Sequence, residues 1–299
     1  MKQQQDILNS PITNTTLKPF LRCLDYTVSQ EEFDIKYDAT ADFLVTTPRP
    51  KSEDLMRYYE SVDYISHSDT KKNTLDKIYH LVRKYTIRNK VNRLRKEQPN
   101  GKIVLDIGCG TGDFLTACSK NDWIIYGVEP NSKARALAQE KTASKKVYSS
   151  ISELLEIHKD KKFDVITLWH VLEHIPNLIE YINDLKKLLS STGTLIIAVP
   201  NFKSYDATHY KKYWAAYDVP RHLWHFSPKA IGLLFDKVDM TVQKKIPMIF
   251  DAFYVSLLSE KYKNKKSNFV KAFYIGFLSN LKALTTKQYS SLIYVLKST

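Results

Sequence analysis

Three of the eight glycines in this 299-residue chain lie within five residues, directly after an apolar segment. They are Gly108, Gly110 and Gly112, and the segment spans residues 103–107. A short apolar run that begins with β-branched residues predicts a buried parallel strand, and glycines after it let the backbone turn sharply and approach a ligand closely. A second apolar run ends at Glu129, where a carboxylate can accept hydrogen bonds from ribose hydroxyls. The pattern predicts a nucleotide-cofactor site.

Apolar segments of strand length alternate with helical patterns after Gly101, which predicts a doubly wound α/β sheet. The expected strands are 102–107, 123–128, 145–148, 163–168 and 194–199, and the expected helices are 112–120, 131–140, 151–158 and 176–190. The C-terminal third is expected to add a helix at 228–237, a long strand at 241–256, a helix at 267–283 and a last strand at 291–296. Short right-handed connections place the cofactor at the carboxyl edge of the sheet, where the strand order reverses.

Composition favours a globular cytoplasmic protein. The chain is 43% hydrophobic, which is ample for a packed core, and no apolar run approaches the 18 to 20 or so residues that span a bilayer. The first residues lack the apolar stretch of a signal peptide. Three cysteines without a CxxC pair are typical of reduced thiols. The sequence leaves the oligomeric state open.

The net charge of +13 raises the question of a polyanionic partner. The densest basic stretch, residues 83–96, also carries apolar residues at helical spacing, which favours the solvated face of an amphipathic helix. RNA or an acidic membrane surface is the alternative partner, beside a small-molecule substrate.

Residues 104–112 spell GxGxG and resemble the first motif of the class I S-adenosylmethionine-dependent methyltransferases. The resemblance extends over about residues 50–299 and implies a Rossmann-like seven-stranded sheet with a reversed last strand, with S-adenosylmethionine as cofactor and S-adenosylhomocysteine as product. It implies that the glycine turn lies against the amino-acid part of the cofactor, that Asp106 orients the turn and that Glu129 holds the ribose. The implied cofactor-binding residues are Asp106, Gly108, Cys109, Gly110, Gly112, Glu129, Pro130, Trp169, His170, Tyr59 and Tyr64.

Residues 170–174 spell H-x-x-E-H, which is also a zinc-peptidase signature when it lies inside a helix. Here it follows an expected buried strand and precedes Pro176, which argues against a peptidase. The stretch resembles the strand end that borders the substrate pocket in ubiquinone-type and small-molecule O-methyltransferases. Three roles stay open for His170: a general base, a ligand of a divalent metal together with Glu173 and His174, or a packed histidine. We expect no metal unless the second role applies.

Residues 200–227 are dense in aromatics and histidines, which is typical of a small-molecule pocket. The resemblance implies a substrate cap at this place, and His222 is the second candidate for the base. Asp218 and Arg221 can equally form an ion pair that pins a loop. The expected substrate residues are Tyr205, Trp214, Tyr217, Arg221, His222 and His225.

Residues 1–70 are expected to form an arm and lid before a catalytic domain at 71–299. The arm resembles a zinc-ribbon-like arm of some relatives, but only Cys23 remains of four expected thiolates, which excludes four-thiolate zinc binding. It is therefore expected to be a metal-free hairpin. Tyr59 and Tyr64 either cover the cofactor or lie in an ordinary helix and loop.

These features together predict a methyltransferase that moves a methyl group from S-adenosylmethionine by in-line displacement, most readily to an oxygen of a small molecule. Three other functions are kept open. They are RNA methylation, methylation of a quinone-like lipid, and cofactor binding by a regulatory protein without catalysis.

Overall fold

The computed structural model describes residues 7–51, 54, 56–59, 74–266 and 268–299, and all statements below concern these residues. The strands are β1 (Lys18–Leu24), β2 (Glu32–Asp38), β3 (Phe43–Thr47), β4 (Ile103–Ile107), β5 (Ile124–Val128), β6 (Val147–Tyr148), β7 (Phe163–Trp169), β8 (Leu189–Pro200), β9 (Trp224–His225), β10 (Met240–Pro247) and β11 (Ser291–Ser298). The α-helices are α1 (Thr74–Glu97), α2 (Asp113–Ser119), α3 (Ser132–Thr142), α4 (Ile151–Ile157), α5 (Leu178–Leu188), α6 (Tyr205–Tyr210), α7 (Pro228–Asp236), α8 (Asp251–Asn264) and α9 (Phe269–Thr286).

The main sheet has seven strands in the order β10-β11-β8-β7-β4-β5-β6. Strands β4 to β8 run parallel, whereas β11 is antiparallel to both β8 and β10. This confirms the predicted doubly wound α/β sheet with a reversed last strand. Strand β4 lies between β5 and β7, so the chain leaves it in one direction and later returns on its other side. The resulting crevice at the carboxyl ends of these strands is where ligands bind in open α/β sheets.

A second sheet joins the N-terminal arm to the cap. Its four strands run in the order β1-β2-β3-β9, and all neighbours are antiparallel. Strands β1 and β2 form the antiparallel pair expected of the arm. Strand β9 belongs to the cap, and it pairs with β3 through Leu44 opposite His225 and Val45 opposite Trp224. The arm and the cap therefore pack as one unit over the crevice.

The prediction of a long strand at 241–256 was wrong. Strand β10 ends at Pro247, which has no amide proton for a further ladder bond, and helix α8 begins at Asp251. The buried residues Ala252, Val255, Ser256 and Ser259 recur at the spacing of a helix face. The apolar run across this boundary contains a strand end and a helix start, and composition alone does not separate them.

None of the described helices is long and apolar enough to cross a lipid bilayer.

Candidate cofactor and acceptor site

The glycine turn lies between β4 and α2, at the centre of the sheet's carboxyl edge. Its residues Gly108, Gly110 and Gly112 have φ values of +67°, +54° and +80°, in the left-handed region that favours glycine. The amides of Gly108 and Cys109 donate to the carbonyl of Val128, which ties the turn to the end of β5. A Cβ on Gly112 would lie 2.9 Å from Ala138 Cα, whereas a Cβ on Gly110 would meet nothing within 4 Å. The turn therefore packs closely against α3 while its centre faces open space.

The Glu129 carboxylate faces this turn from the end of β5. Its Oε2 accepts from the Gly110 amide at 2.9 Å, and its Oε1 accepts from the Asn131 amide at 2.9 Å. Two oxygens offer about four acceptor positions, so capacity remains for ligand hydroxyls. Pro130 follows and is exposed. The turn and the acid, which the sequence assigns to one cofactor site, are thus in direct contact.

Asp106 is buried at the end of β4, directly before the glycine turn. Its Oδ1 accepts from Thr167 Oγ1 on β7 at 2.6 Å. Burial raises the pKa of Asp106 to about 7, against the Thr167 hydrogen bond and the nearby charge of Lys90, which lower it. Asp106 thus joins β4 to β7 beneath the turn, and its role in orienting the turn stays a prediction.

Lys90 was expected on a solvated helix face, but the structure places it at the site. Its Nζ lies 4.2 Å from the ring centroid of Trp169, whose edge packs on Phe114. Burial lowers the pKa of Lys90 to about 8, although the Asp106 and Asp251 carboxylates raise it. The sequence held one hint of this position, the spacing of Lys90 and Leu94. Residues four apart share a helix face, and the Leu94 side chain is buried.

Trp169 ends β7, and its indole Nε1 has no hydrogen-bond partner within the part of the chain that is described. An unpaired buried donor costs free energy unless a ligand or water satisfies it. Trp169 thus lies at the crevice with a donor to offer, which fits its predicted place beside a cofactor.

His170 lies between two carboxylates. Its Nδ1 is 3.4 Å from Glu173 Oε1, and its Nε2 is 3.2 Å from Asp251 Oδ2. Burial lowers the pKa of His170, but the contacts with Asp251 and Glu173 outweigh it and raise the pKa to about 9. The imidazolium has no lone pair for a substrate proton, so this structure does not support His170 as the general base. Sequence reasoning missed Asp251 because it fell inside the wrongly predicted strand.

A second cluster combines Glu173, His174 and His222, with one ligand atom of each within 4.8 Å of the others. His174 Nδ1 bonds the carbonyl of Arg221 at 3.0 Å, and His222 Nδ1 bonds the carbonyl of Ala216 at 2.9 Å. With Nδ1–H as the donor to a carbonyl, Nε2 keeps its lone pair. The predicted metal site consisted of His170, Glu173 and His174. The structure instead brings His222 of the cap together with Glu173 and His174.

The groups in this cluster differ in charge. Burial and the neighbouring His222 lower the pKa of His174 to about 4, so its imidazole is neutral at pH 7. Burial alone would raise the pKa of Glu173, but the contact with His170 and the charges of the nearby histidines lower it. Glu173 Oε1 has the contact with His170, whereas Oε2 lacks a hydrogen-bond partner among the described residues. An anionic, fully buried carboxylate thus faces two imidazole nitrogens.

Of the two predicted lid tyrosines, Tyr59 lies beside this cluster, with its hydroxyl 3.1 Å from His174 Nδ1. Tyr64 lies outside the described residues.

The other predicted substrate residues are mostly packed inside the cap. Trp214 is 2% exposed and its Nε1 donates to Asp206 Oδ2 at 2.7 Å, while the Tyr217 ring packs edge-on against Trp214 and His225. His225 Nε2 lies 3.0 Å from Thr46 Oγ1. Tyr205 lies under Lys282, whose Nζ is 3.7 Å from its ring. The buried contacts of Trp214, Tyr217 and His225 hold the cap together, and their role in a substrate pocket stays a prediction.

Arg221 is the centre of a buried ion-pair network. Its guanidinium donates to Asp218, to Asp25 of the arm and to the carbonyl of Tyr58. Burial lowers the pKa of Arg221, but the two carboxylates outweigh it and raise the value. All three nitrogens are engaged, so the loop-pinning alternative describes Arg221 and a substrate contact does not.

The sheet order, the glycine turn and the acid at the next strand end define the class of Rossmann-like α/β proteins that bind a nucleotide cofactor. The family model that matches the chain is described as a methyltransferase domain, and it matches residues 79–245. This match covers more than half of the chain, and the protein belongs to that family.

Curated relatives agree with this assignment, and solved structures agree with the fold. The chain is 35% identical over 109 residues to the ubiquinone biosynthesis O-methyltransferase of Glaesserella parasuis, an alignment that covers 34% of this chain and 46% of that protein. The chain thus spans about half the length of the curated relatives it matches. The fold is similar to that of magnesium protoporphyrin IX methyltransferase from Synechocystis PCC 6803 with bound SAH, at a TM-score of 0.54, 16% identity and coverage of 83% of this chain and 100% of the other. It is also similar to the plantazolicin methyltransferase in complex with SAH, with a TM-score of 0.52, 17% identity and coverage of 82% and 94%.

Proposed function

We propose that the protein binds S-adenosylmethionine and transfers its methyl group to an oxygen of a small molecule. The observation that carries the proposal is the contact between the Glu129 carboxylate and the Gly110 amide, beside open space at the reversal point of the sheet. Family membership supports the reaction type. The relatives named as O-methyltransferases of ubiquinone biosynthesis support an oxygen acceptor.

The residues at the crevice suit each part of this cofactor. Glu129 offers acceptors to the ribose hydroxyls, and the turn around Gly110 leaves room for the amino-acid part. Lys90 supplies a positive charge for its carboxylate, and Trp169 supplies an unpaired donor and an aromatic wall. When bound, S-adenosylmethionine supplies a methyl group on a sulfonium, which is activated for transfer without further chemistry.

Residues of the second cluster would handle the acceptor proton. His222 Nε2 is 4.0 Å from Asp218 Oδ2, too far for a hydrogen bond, and its Nδ1 is held by a carbonyl. We therefore assign His222 as the base, with its proton received at Nε2. His174, whose ring centroid lies 4.6 Å away, is a neutral neighbour that does not repel this new charge.

Calorimetric titration tests the cofactor assignment. We expect S-adenosylmethionine and S-adenosylhomocysteine to bind and NAD not to bind. Glu129→Ala is expected to weaken binding at least about tenfold, because it removes charge-assisted hydrogen bonds. Glu156→Ala, at an exposed glutamate on α4, is the matched control and should bind like the wild type. Absence of binding to the wild type, or equal binding by Glu129→Ala, would overturn the proposal.

Glu173, His174 and His222 favour a second candidate for the acceptor site, a divalent cation that orients the acceptor oxygen. Two imidazoles and one carboxylate suit zinc and similar ions, and each histidine donates its other nitrogen to a backbone carbonyl, as metal-bound histidines do. An ion would also satisfy Glu173 Oε2, which has no hydrogen-bond partner among the described residues.

Elemental analysis of the purified protein distinguishes a His222 that acts as the base from a His222 that binds a cation. A bound cation predicts near-stoichiometric metal that is lost in His222→Ala and kept in His209→Ala, a histidine on α6 outside the cluster. Chelation should then abolish methyl transfer but leave S-adenosylhomocysteine affinity unchanged. Full activity in metal-free protein would remove the cation and keep His222 as the base.

A further inference from the structure

Helix α9 exposes its large apolar residues. Seven of them are between 49% and 82% exposed. At 100° per residue, they fall within an arc of about 140° on one side of the helix. They are Phe269, Val270, Phe273, Tyr274, Phe277, Leu281 and Leu284. A surface helix of a globular protein normally turns such an arc toward the core.

The opposite side of α9 is buried and consists of four small residues and Ile275. Ala272, Gly276, Ser279 and Ala283 face the protein, and a Cβ on Gly276 would lie 2.9 Å from Phe253 Cα on α8. The two helices therefore approach too closely for α9 to rotate and bury its aromatic residues. The exposed arc is a consequence of how α8 and α9 pack against each other, and we call these two helices the α8–α9 hairpin.

The arc continues onto the neighbouring helices. Phe273 packs on Phe253 with ring centroids 5.0 Å apart, and Phe250, at the start of α8, packs on Tyr85 of α1 at 5.9 Å. We use the name apolar face for the seven residues of α9 together with the exposed side chains of Leu81, Tyr85, Ile249, Phe250 and Tyr254. Asp251, directly after Phe250, contacts His170. The apolar face therefore ends beside the candidate acceptor site.

The charges around the apolar face are of one sign. Residues 248–290 contain seven lysines and two carboxylates. Both carboxylates face inward, since Asp251 contacts His170 and the buried Glu260 pairs with Lys271. The exposed ionisable side chains of the hairpin are lysines, at positions 261, 263, 265, 266, 282 and 287. A partner that fits this surface is both apolar and negatively charged.

This charge pattern selects among possible partners. Two copies of the chain joined through the same face would bring these lysines together without opposing carboxylates, which disfavours a symmetric dimer. Nucleic acid would leave the aromatic arc without an apolar environment. An anionic lipid surface suits both the aromatic arc and the lysines, because acyl chains surround the aromatic residues while the headgroups attract the lysines.

We propose that the α8–α9 hairpin docks on an anionic lipid bilayer through the apolar face. Docking places the candidate acceptor site at the membrane surface, where a lipophilic acceptor would be available. The docking itself does not depend on the proposed methyl transfer. Failure of either proposal can therefore be recognised separately, by vesicle binding for the one and by cofactor titration for the other.

Vesicle flotation tests the docking with the full chain. We expect the wild type to float with vesicles that contain phosphatidylglycerol and to stay behind with pure phosphatidylcholine. The double variant Phe273→Ser with Phe277→Ser should bind at least about tenfold more weakly, because it removes two aromatic side chains that the docked bilayer would bury. Lys265→Glu with Lys266→Glu should also weaken binding, and added salt should mimic this variant.

Matched controls lie at the other end of the main sheet. Leu137→Ser with Ile157→Ser removes two exposed apolar residues from α3 and α4, and Lys133→Glu with Lys159→Glu reverses two exposed charges. Both should float like the wild type. The proposal is overturned if the wild type does not bind anionic vesicles, or if either hairpin variant binds as well as its control. It is also overturned if light scattering shows a dimer that the Phe273→Ser and Phe277→Ser variant dissociates.

Discussion

The Glu129 carboxylate accepts a hydrogen bond from the Gly110 amide at 2.9 Å, across the gap between the ends of β5 and β4. Its second oxygen holds the Asn131 amide, so the acid is fixed before any ligand arrives. Fixed acceptors lose little entropy on binding, which favours affinity. This contact makes the glycine turn and the acid one unit.

Gly110→Ala should weaken S-adenosylhomocysteine binding at least about tenfold with a stability loss of only about 1 kcal/mol. The left-handed φ of +54° strains an alanine, and its Cβ would enter the open space beside Glu129. Gly232→Ala, in α7 with nothing near its Cβ, is the control and should bind normally. Calorimetry and thermal unfolding measure both effects. Unchanged affinity in Gly110→Ala would show that the ligand does not approach the turn.

Lys90→Gln should weaken cofactor binding about tenfold, since it removes the charge assigned to the cofactor carboxylate. Lys84→Gln, at an exposed position of α1, should have no effect. Burial lowers the pKa of Lys90 to about 8, and the amine is charged below its pKa. Affinity of the wild type is therefore expected to be highest below pH 8 and to fall as the pH rises above it. Lys90→Arg, which stays charged, should remove this decline, and an identical decline in that variant would contradict the assignment.

Asp25→Asn should lower the free energy of unfolding by about 3 kcal/mol, because it leaves the Arg221 guanidinium buried with one carboxylate fewer. The side chains of Arg221 and Asp25 are 1% and 0% exposed. Asp34→Asn breaks an exposed pair with Arg22, which solvent screens, and should cost much less. Urea unfolding compares the two. Similar losses would mean that the link between arm and cap is not a main source of stability.

Gly276→Ala and Gly232→Ala make the same substitution in two helices and should act in opposite directions. Alanine favours a helix by about 1 kcal/mol, which Gly232→Ala should gain in part. At Gly276 the new methyl group would lie 2.9 Å from Phe253 Cα and 3.0 Å from the Ala252 carbonyl. Overpacking of this kind costs about 1 to 3 kcal/mol, so thermal unfolding should show a net loss. A gain at both positions would show that the α8–α9 contact is loose.

The main sheet could be predicted because its information is local. Residues 103–107 and 163–168 are mainly apolar segments of strand length, and the apolar residues of the helices between them recur at helical spacing. The prediction of the boundary near Pro247 was wrong because strand and helix share one apolar run there. Only the burial of Ala252 and Val255 separates the two elements.

The sequence by itself determined the fold class and put the glycine turn and Glu129 at the ends of two strands, because strand, turn and acid follow each other along the chain. Tertiary structure alone decided the state of the remaining site residues. The pKa of His170 is raised because Asp251, which is distant in sequence, faces it, and His222 joins Glu173 because the cap folds back over the strand ends. The pKa and the partners of a side chain depend on groups that packing brings together, and residue spacing does not encode them.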